Sequence, residues 1–242
     1  RIKEEKRFVF SGNYFMAKPR VTLKDVAIKV GVHSSTVSRV LNPATKSMVT
    51  EEIANRILSV VADMGYRPNT FAQSLKTNRS YTIGVMVPDL TNPSFALIIK
   101  GIDNMLEAHG YSVIVANTYN LQEKQKRTLE KFRERHVDGL IIATAARKEE
   151  LIDDCIREGT PFVEAVRASD NINVCSVVSD ELVGGKMVIS HLAQLGHKKI
   201  AYISGPQSIS TGYARYQGFA QGMLNAGLKV DPDLTIFCDT FS

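Results

Sequence analysis

Seven short apolar runs recur from Tyr81 to the end of the chain: IGVMV, SVIVAN, GLIIAT, PFVEAV, SVVS, IAYISG and LTIFCD. Amphipathic stretches of helical spacing separate them. Strands that alternate with helices at this interval build βαβ units and a parallel sheet. Such sheets take ligands outside the carboxyl ends of their strands. The polar residues just past those ends are therefore the candidates. Asp89 and Asn92 follow the first run, Arg167 follows PFVEAV, and Thr211 and Arg215 follow IAYISG. Glu164 lies inside a run, where a buried carboxylate needs a partner.

The part before Tyr81 is different in charge and pattern. Residues 1–80 hold 14 Lys and Arg against 6 Asp and Glu, a balance of +8. The chain totals of 30 and 25 leave 16 basic and 19 acidic residues beyond, a balance of −3. A basic part joined to a slightly acidic one suits a polyanion, though a solvated basic face would look the same. Helical spacing narrows the choice. In VTLKDVAIKVGVHSSTVSRVLN, Thr22 is placed to cap a helix with Asp25 at the capping-box position. Leu23, Val26, Ala27 and Val30 share one face, and Gly31 suits a tight turn. A second short helix turns Val37, Val40 and Leu41 inward and Ser34, Ser35, Ser38 and Arg39 outward. Thr50 is expected to cap a third helix with Ile53, Ile57, Val60, Val61 and Met64 inward, ending at Gly65. This is the pattern of a helix-turn-helix, whose second helix enters the DNA major groove by its N-terminal end. Arg39 can make a bidentate contact to guanine O6 and N7; a phosphate contact is the alternative.

The strings TVSRVLN, GYRPNTFAQSLKT and YTIGVMVPDLTNPSF resemble the lactose-repressor (LacI) family of bacterial transcription regulators. The resemblance runs from about Val21 to the last residue. It implies an α/β fold: an N-terminal all-α helix-turn-helix domain plus hinge helix, then a parallel α/β domain like the periplasmic sugar-binding proteins. The implied divisions are a leader at 1–18, a DNA-binding domain at 19–66 and a hinge at 67–80. An effector-binding subdomain follows at 81–180, and the start of a second at 181–242. Met16 is expected as the natural start, and the second subdomain is expected to be incomplete. The DNA contacts so assigned are Thr22, Ser34, Ser35, Thr36, Ser38, Arg39 and Asn42, with Ala72, Leu75 and Lys76 from the hinge. Leu75 matches the family's wedge into the minor groove at the centre of a palindromic operator. His33 stands where the family usually has a serine cap, so Ser34 is expected to cap instead. In the effector pocket Asp89, Asn92, Phe95, Arg167, Thr211 and Arg215 match. Asn92 resembles a sugar-hydroxyl contact, Phe95 an aromatic platform, and the arginines donors to ligand oxygens. Val166 stands where the family often has aspartate before the arginine, and Ser94 where several relatives have an aromatic.

Three function classes separate on these residues. A regulator uses both parts: operator DNA for the first, a sugar-like effector for the second, a homodimer or tetramer for symmetry, and a cytoplasmic location. A transport solute-binding protein has no use for Val21–Leu75. An enzyme needs a nucleophile–base pair, a metal cluster or a phosphate loop. The five histidines fall in no metal spacing, and GxxxxGK[ST] does not occur. No catalytic residue, metal or cofactor is therefore expected. Cys155, Cys175 and Cys238 are spaced as buried free thiols. No apolar run approaches a membrane span.

Overall fold

The computed structural model describes residues 21–42, 45–67 and 79–240. The chain divides into two compact units between residues 73 and 74. The hinge residues Ala72, Leu75 and Lys76 lie outside the described residues.

The first unit holds α1 (Leu23–Val30), α2 (Ser34–Leu41), a 3-10 turn (Lys46–Met48) and α3 (Glu51–Asp63). Thr22 accepts from Asp25 N while the Asp25 carboxylate accepts from Thr22 N, so the capping box closes from both sides. Gly31 ends α1 at φ 77° and turns the chain into α2. Val26, Ala27, Val30, Val37, Val40, Ala54 and Ile57 form the core, with Tyr66 closing it. Arg56 donates to Val30 O at 3.1 Å and so fastens α3 to the carbonyl end of α1. Two capping expectations need correction. Thr50 sits at the start of α3, but its side chain makes no cap bond; only its carbonyl begins the helix. Ser34 does not cap α2. His33 does, through Nδ1, which accepts from Ser35 N. Nδ1 is bonded to Cγ, as Oδ1 of asparagine is, so the imidazole offers a lone pair in the same place.

The second unit contains β1 (Thr82–Val87), α4 (Pro93–Glu107), β2 (Ser112–Asn117), α5 (Gln122–Glu134), β3 (Gly139–Ile142), α6 (Glu150–Arg157), β4 (Phe162–Ala165) and β5 (Ser176–Val177). These strands form one parallel sheet in the order β2-β1-β3-β4-β5. Alternation along β1 sends Val85 and Val87 to one face, with Phe95 and Ala143. Met86 goes to the other, with Leu129, Phe132, Leu151 and Ile152 from α5 and α6. Gly84 leaves room there for Phe132, whose ring would lie 2.6 Å from an added Cβ.

Then come α7 (Glu181–Gln194), β6 (Tyr202–Ser204), α8 (Ser210–Asn225), a 3-10 turn (Pro232–Leu234) and β7 (Thr235–Phe237). β6 and β7 pair in parallel as a separate sheet. Ile189, Ile200, Phe219 and Met223 form its core, with Tyr202 stacked on Phe219 at 4.4 Å. α7 and α8 meet so closely that a Cβ on Gly218 would lie 2.4 Å from Leu182 O. Of the cysteines, Cys155 alone is buried; Cys175 is exposed and Cys238 half-buried. Among the described residues no helix is long and apolar enough to cross a membrane.

Candidate functional site

Two surfaces carry the polar groups that local folding leaves for function. The first is the start of α2. Ser35 and Arg39 are exposed and Ser34, Thr36 and Ser38 half-exposed, while Val37 and Val40 hold the helix to the core. Their spacing puts residues 34, 35, 38 and 39 on the side away from that core. Ser35 Oγ lies 2.8 Å from His33 Nδ1. Thr22 Oγ1 is engaged in the cap, donating to Asp25 Oδ2 at 2.7 Å, which limits what it has left for a phosphate. These bonds hold the Asp25 carboxyl below its usual range, the Thr22 hydroxyl contributing most. The basic excess is only partly here: residues 21–67 carry six Lys and Arg against four Asp and Glu.

The second surface is a cleft of about 580 Å³ past the carboxyl ends of β1, β2, β3 and β4, and of β6 and β7. Asp89, Asn92, Phe95 and Arg167 line it. Arg167 is 5% exposed, and Nη1 donates to Asn120 Oδ1 at 2.7 Å. Burial pushes its pKa down to about 10, which still leaves it charged at neutral pH. The turn that delivers it is unusual. Val166 sits at φ 67°, a conformation a β-branched residue rarely takes, and Arg167 N donates back to Ala165 O at 2.6 Å. Glu164 braces this turn: it is 1% exposed and Oε2 accepts from Ser169 N at 3.0 Å. Its partner is thus a backbone amide.

Asn92 caps α4, its Oδ1 accepting from Ser94 N, so its amide N–H groups are what it can turn to a ligand. Asp89 accepts from Thr91 N and Oγ1, bonds that lower its pKa, the backbone bond most. Phe95 is 7% exposed and packs with Val85, Val87 and Ala143. The aromatic platform is therefore mostly core, because the third position of α4 shares the sheet-facing stripe with Ile98, Ile99 and Ile102.

Thr211 and Arg215 are not brought to the cleft. Thr211 is buried in the first turn of α8, and Arg215, half exposed, donates Nε and Nη2 to Glu181 at 2.6 and 2.9 Å. Residues four apart share a face, and this one turns toward α7. Ser208 and Ile209, just before α8, line the cleft instead. Tyr119, Asn120, Thr144 and Glu149 line it too, and the sequence reading missed them. Thr144 donates to Gln125 Oε1 at 3.0 Å, and Lys124 Nζ lies 3.9 Å from the Tyr119 ring centroid. Tyr119 and Asn120 follow the run SVIVAN, so the strand-end rule was the signal that could have found them; Thr144 closes the run GLIIAT, and only the end of β3 at Ile142 shows it to lie past the strand. Among the described residues no group of three His, Cys, Asp or Glu could hold a metal ion.

Comparison with known proteins matches both parts of the chain. Residues 22–69 match the bacterial regulatory proteins of the lacI family, and residues 80–242 match the periplasmic binding proteins and sugar binding domain of the LacI family. Among curated relatives, the HTH-type transcriptional regulator RegA of Clostridium saccharobutylicum is 34% identical, covering 88% of this chain and 64% of its own. The repressor CytR of Escherichia coli (strain K12) is 31% identical over 87% of this chain and 61% of its own. The chain thus spans less than two thirds of the length of these relatives. Among solved structures, the Lac repressor dimer bound to operator and the anti-inducer ONPF superposes with a TM-score of 0.81 at 26% identity, covering 93% of this chain and 67% of that one. A complex of the regulator CelR with cellobiose gives 0.61 at 27% identity over 92% and 67%. The chain belongs to the LacI family of bacterial regulatory proteins.

Proposed function

We propose that the chain is the DNA-binding and effector-sensing part of a cytoplasmic transcriptional repressor, not an enzyme. It binds a palindromic operator as a homodimer, and a small polar ligand in the cleft controls that binding. The observation that carries this reading is the presence on one chain of two built surfaces: a capped recognition helix, and a cleft with a buried arginine at its strand ends. The α2 residues Ser34, Ser35, Thr36, Ser38 and Arg39, with Thr22 and Asn42 at the flanks, face the major groove and adjoining phosphates. Leu75, with Ala72 and Lys76, enters the minor groove at the operator centre. In the cleft, Arg167, Asn92, Asn120 and Asp89 offer donors and acceptors beside Phe95, which suits a sugar or related polyol. The Lac repressor bound to operator and ONPF, and CelR bound to cellobiose, support both assignments by likeness.

Enrichment of binding sites from random duplexes tests the DNA half. The wild type should return a palindrome. Arg39→Ala should lose its preference at one base pair per half-site, at a cost of about 1–3 kcal/mol. An unchanged site for the variant would remove Arg39 from the base-reading set. Calorimetry against a panel of mono- and disaccharides tests the other half. Arg167→Met should weaken the binding sugar roughly tenfold or more, as loss of a charged hydrogen bond does.

A further inference from the structure

His33 caps α2 with the same nitrogen that touches the Ser35 hydroxyl. Nδ1 lies 3.3 Å from Ser35 N and 2.8 Å from Ser35 Oγ. A backbone N–H can only donate, so Nδ1 carries a lone pair and the ring proton sits on Nε2. A nitrogen without hydrogen cannot donate to Oγ, so the Ser35 hydroxyl donates to it. That spends the only hydrogen of the Ser35 hydroxyl and leaves its oxygen with lone pairs alone. Ser35 is exposed at the second position of α2. That end of a recognition helix meets base edges.

We propose that His33 is a positioning residue for sequence specificity. It makes Ser35 an obligate acceptor, which selects the amino bases adenine and cytosine over guanine and thymine at the base Ser35 meets. The proposal rests on the DNA-binding reading above. In the major groove adenine N6 and cytosine N4 donate, whereas guanine O6 and thymine O4 accept. A freely turning serine hydroxyl serves either class. An oxygen whose hydrogen is held by imidazole serves only the first. Opposite a keto oxygen it leaves two acceptors facing each other, desolvated and without a proton between them. Serine at position 33 would still cap the helix, but its Oγ is bonded to Cβ rather than Cγ and so lies one bond short of the place from which Nδ1 holds the Ser35 hydrogen.

The test is enrichment from random duplexes with the full-length protein and its His33→Ser, Ser35→Ala and doubly substituted variants, with helicity checked by circular dichroism. The wild type should favour A or C over G or T by about fivefold at one position per half-site, the discrimination of a single hydrogen bond. His33→Ser should level that position to within about twofold while the Arg39-dependent position stays. Ser35→Ala should level the same position, and the double variant should add nothing. Replacing the favoured adenine by purine, which lacks the amino group, should weaken the wild type about fivefold. Three results overturn the proposal: an unchanged amino preference in His33→Ser, a keto preference at the Ser35-dependent position of the wild type, or a loss in His33→Ser that is uniform across sequences. If the wild type itself enriches no sequence, the DNA-binding reading falls with it.

Discussion

The start of α2 and the cleft are built from opposite kinds of contact. The bonds that shape the first are local: Thr22 with Asp25 three residues on, His33 with Ser35 two on, Thr45 with Arg39 O six back. Those that shape the second reach far along the chain. Arg167 meets Asn120 across 47 residues, Ala168 N meets Ser210 Oγ across 42, and Thr144 meets Gln125 across 19. A locally built surface survives whatever happens elsewhere, whereas a cleft assembled from the ends of strands in two sheets inherits the stability of both sheets and their neighbours.

The largest effect should come from breaking the second unit far from its cleft. The helix seam of α7 and α8 is backbone against backbone at Gly218, so the methyl of Gly218→Ala meets Leu182 O and the Gly185 Cα, and neither can rotate away. Overpacking of this kind costs about 3 kcal/mol at its upper end. Ser208 and Ile209, which line the cleft, lead directly into α8. The variant should melt its second unit earlier and lose ligand binding, while the amides of α1–α3 keep their hydrogen-exchange protection. Loss of protection in both units together would break the contrast between them.

The converse change should be smaller and confined. Thr22→Ala removes the capping box of α1, worth about 1 kcal/mol. Exchange should quicken at the first-turn amides of α1, Asp25 N foremost, with the sheet amides of β1–β4 unmoved. Faster exchange in the sheet would mean that the cap supports more than its own helix.

The same distinction decides what could be read from the residues alone. The α1–α3 pattern was legible because capping and packing positions repeat at three and four residues. Val26, Ala27, Val30, Val37, Val40 and Ile57 of the inward set are buried, Leu23, Leu41, Ile53, Val60, Val61 and Met64 are partly buried, and Ala54, outside that set, is buried as well. His33 was misjudged because cap preferences are compiled for oxygen acceptors, and an imidazole nitrogen in the same place is easy to overlook. The seven strands were legible as apolar runs, and their ends pointed to Asp89, Asn92 and Arg167. Arg215 misled because following a strand end says nothing about which face of α8 a side chain takes, and its face meets Glu181. Tyr119 and Glu149 went unnoticed because polar residues past a strand end look alike until folding turns some of them inward. Glu149 is 8% exposed in the structure, though nothing around it in TAARKEE marks it for burial.

Two carboxylates at helix starts sharpen the comparison with the smallest expected effects. Asp25, in the first turn of α1, is exposed and its carboxyl is held below the usual range by bonds from Thr22. Glu149, at the start of α6, is buried; desolvation pushes its carboxyl up, against weaker pulls from the Ala146 and Leu151 amides. Its Oε2 accepts from Ala146 N at 3.3 Å, and Oε1 is buried with no hydrogen-bond partner among the described residues. The signs of the linkage are therefore opposite. With a native value below the unfolded one, Asp25 adds stability that is present above the unfolded value, about 3.9, and is lost as pH falls through the native one. With a native value above the unfolded one, about 4.3, Glu149 binds its proton more tightly when folded, so stability declines as pH rises from there through the native value. Glu149→Gln imitates the protonated acid and removes that decline. The variant should melt slightly higher than the wild type at pH 7 and equally at pH 3.5. Asp25→Asn should melt lower at pH 7, with the gap closing in acid. Melting curves of the three proteins from pH 3.5 to 8 measure both. A Glu149→Gln protein that melts lower at pH 7 would mean that the cleft holds the carboxylate ionised, as a group already paired for its ligand, and the contrast between the two carboxylates would collapse.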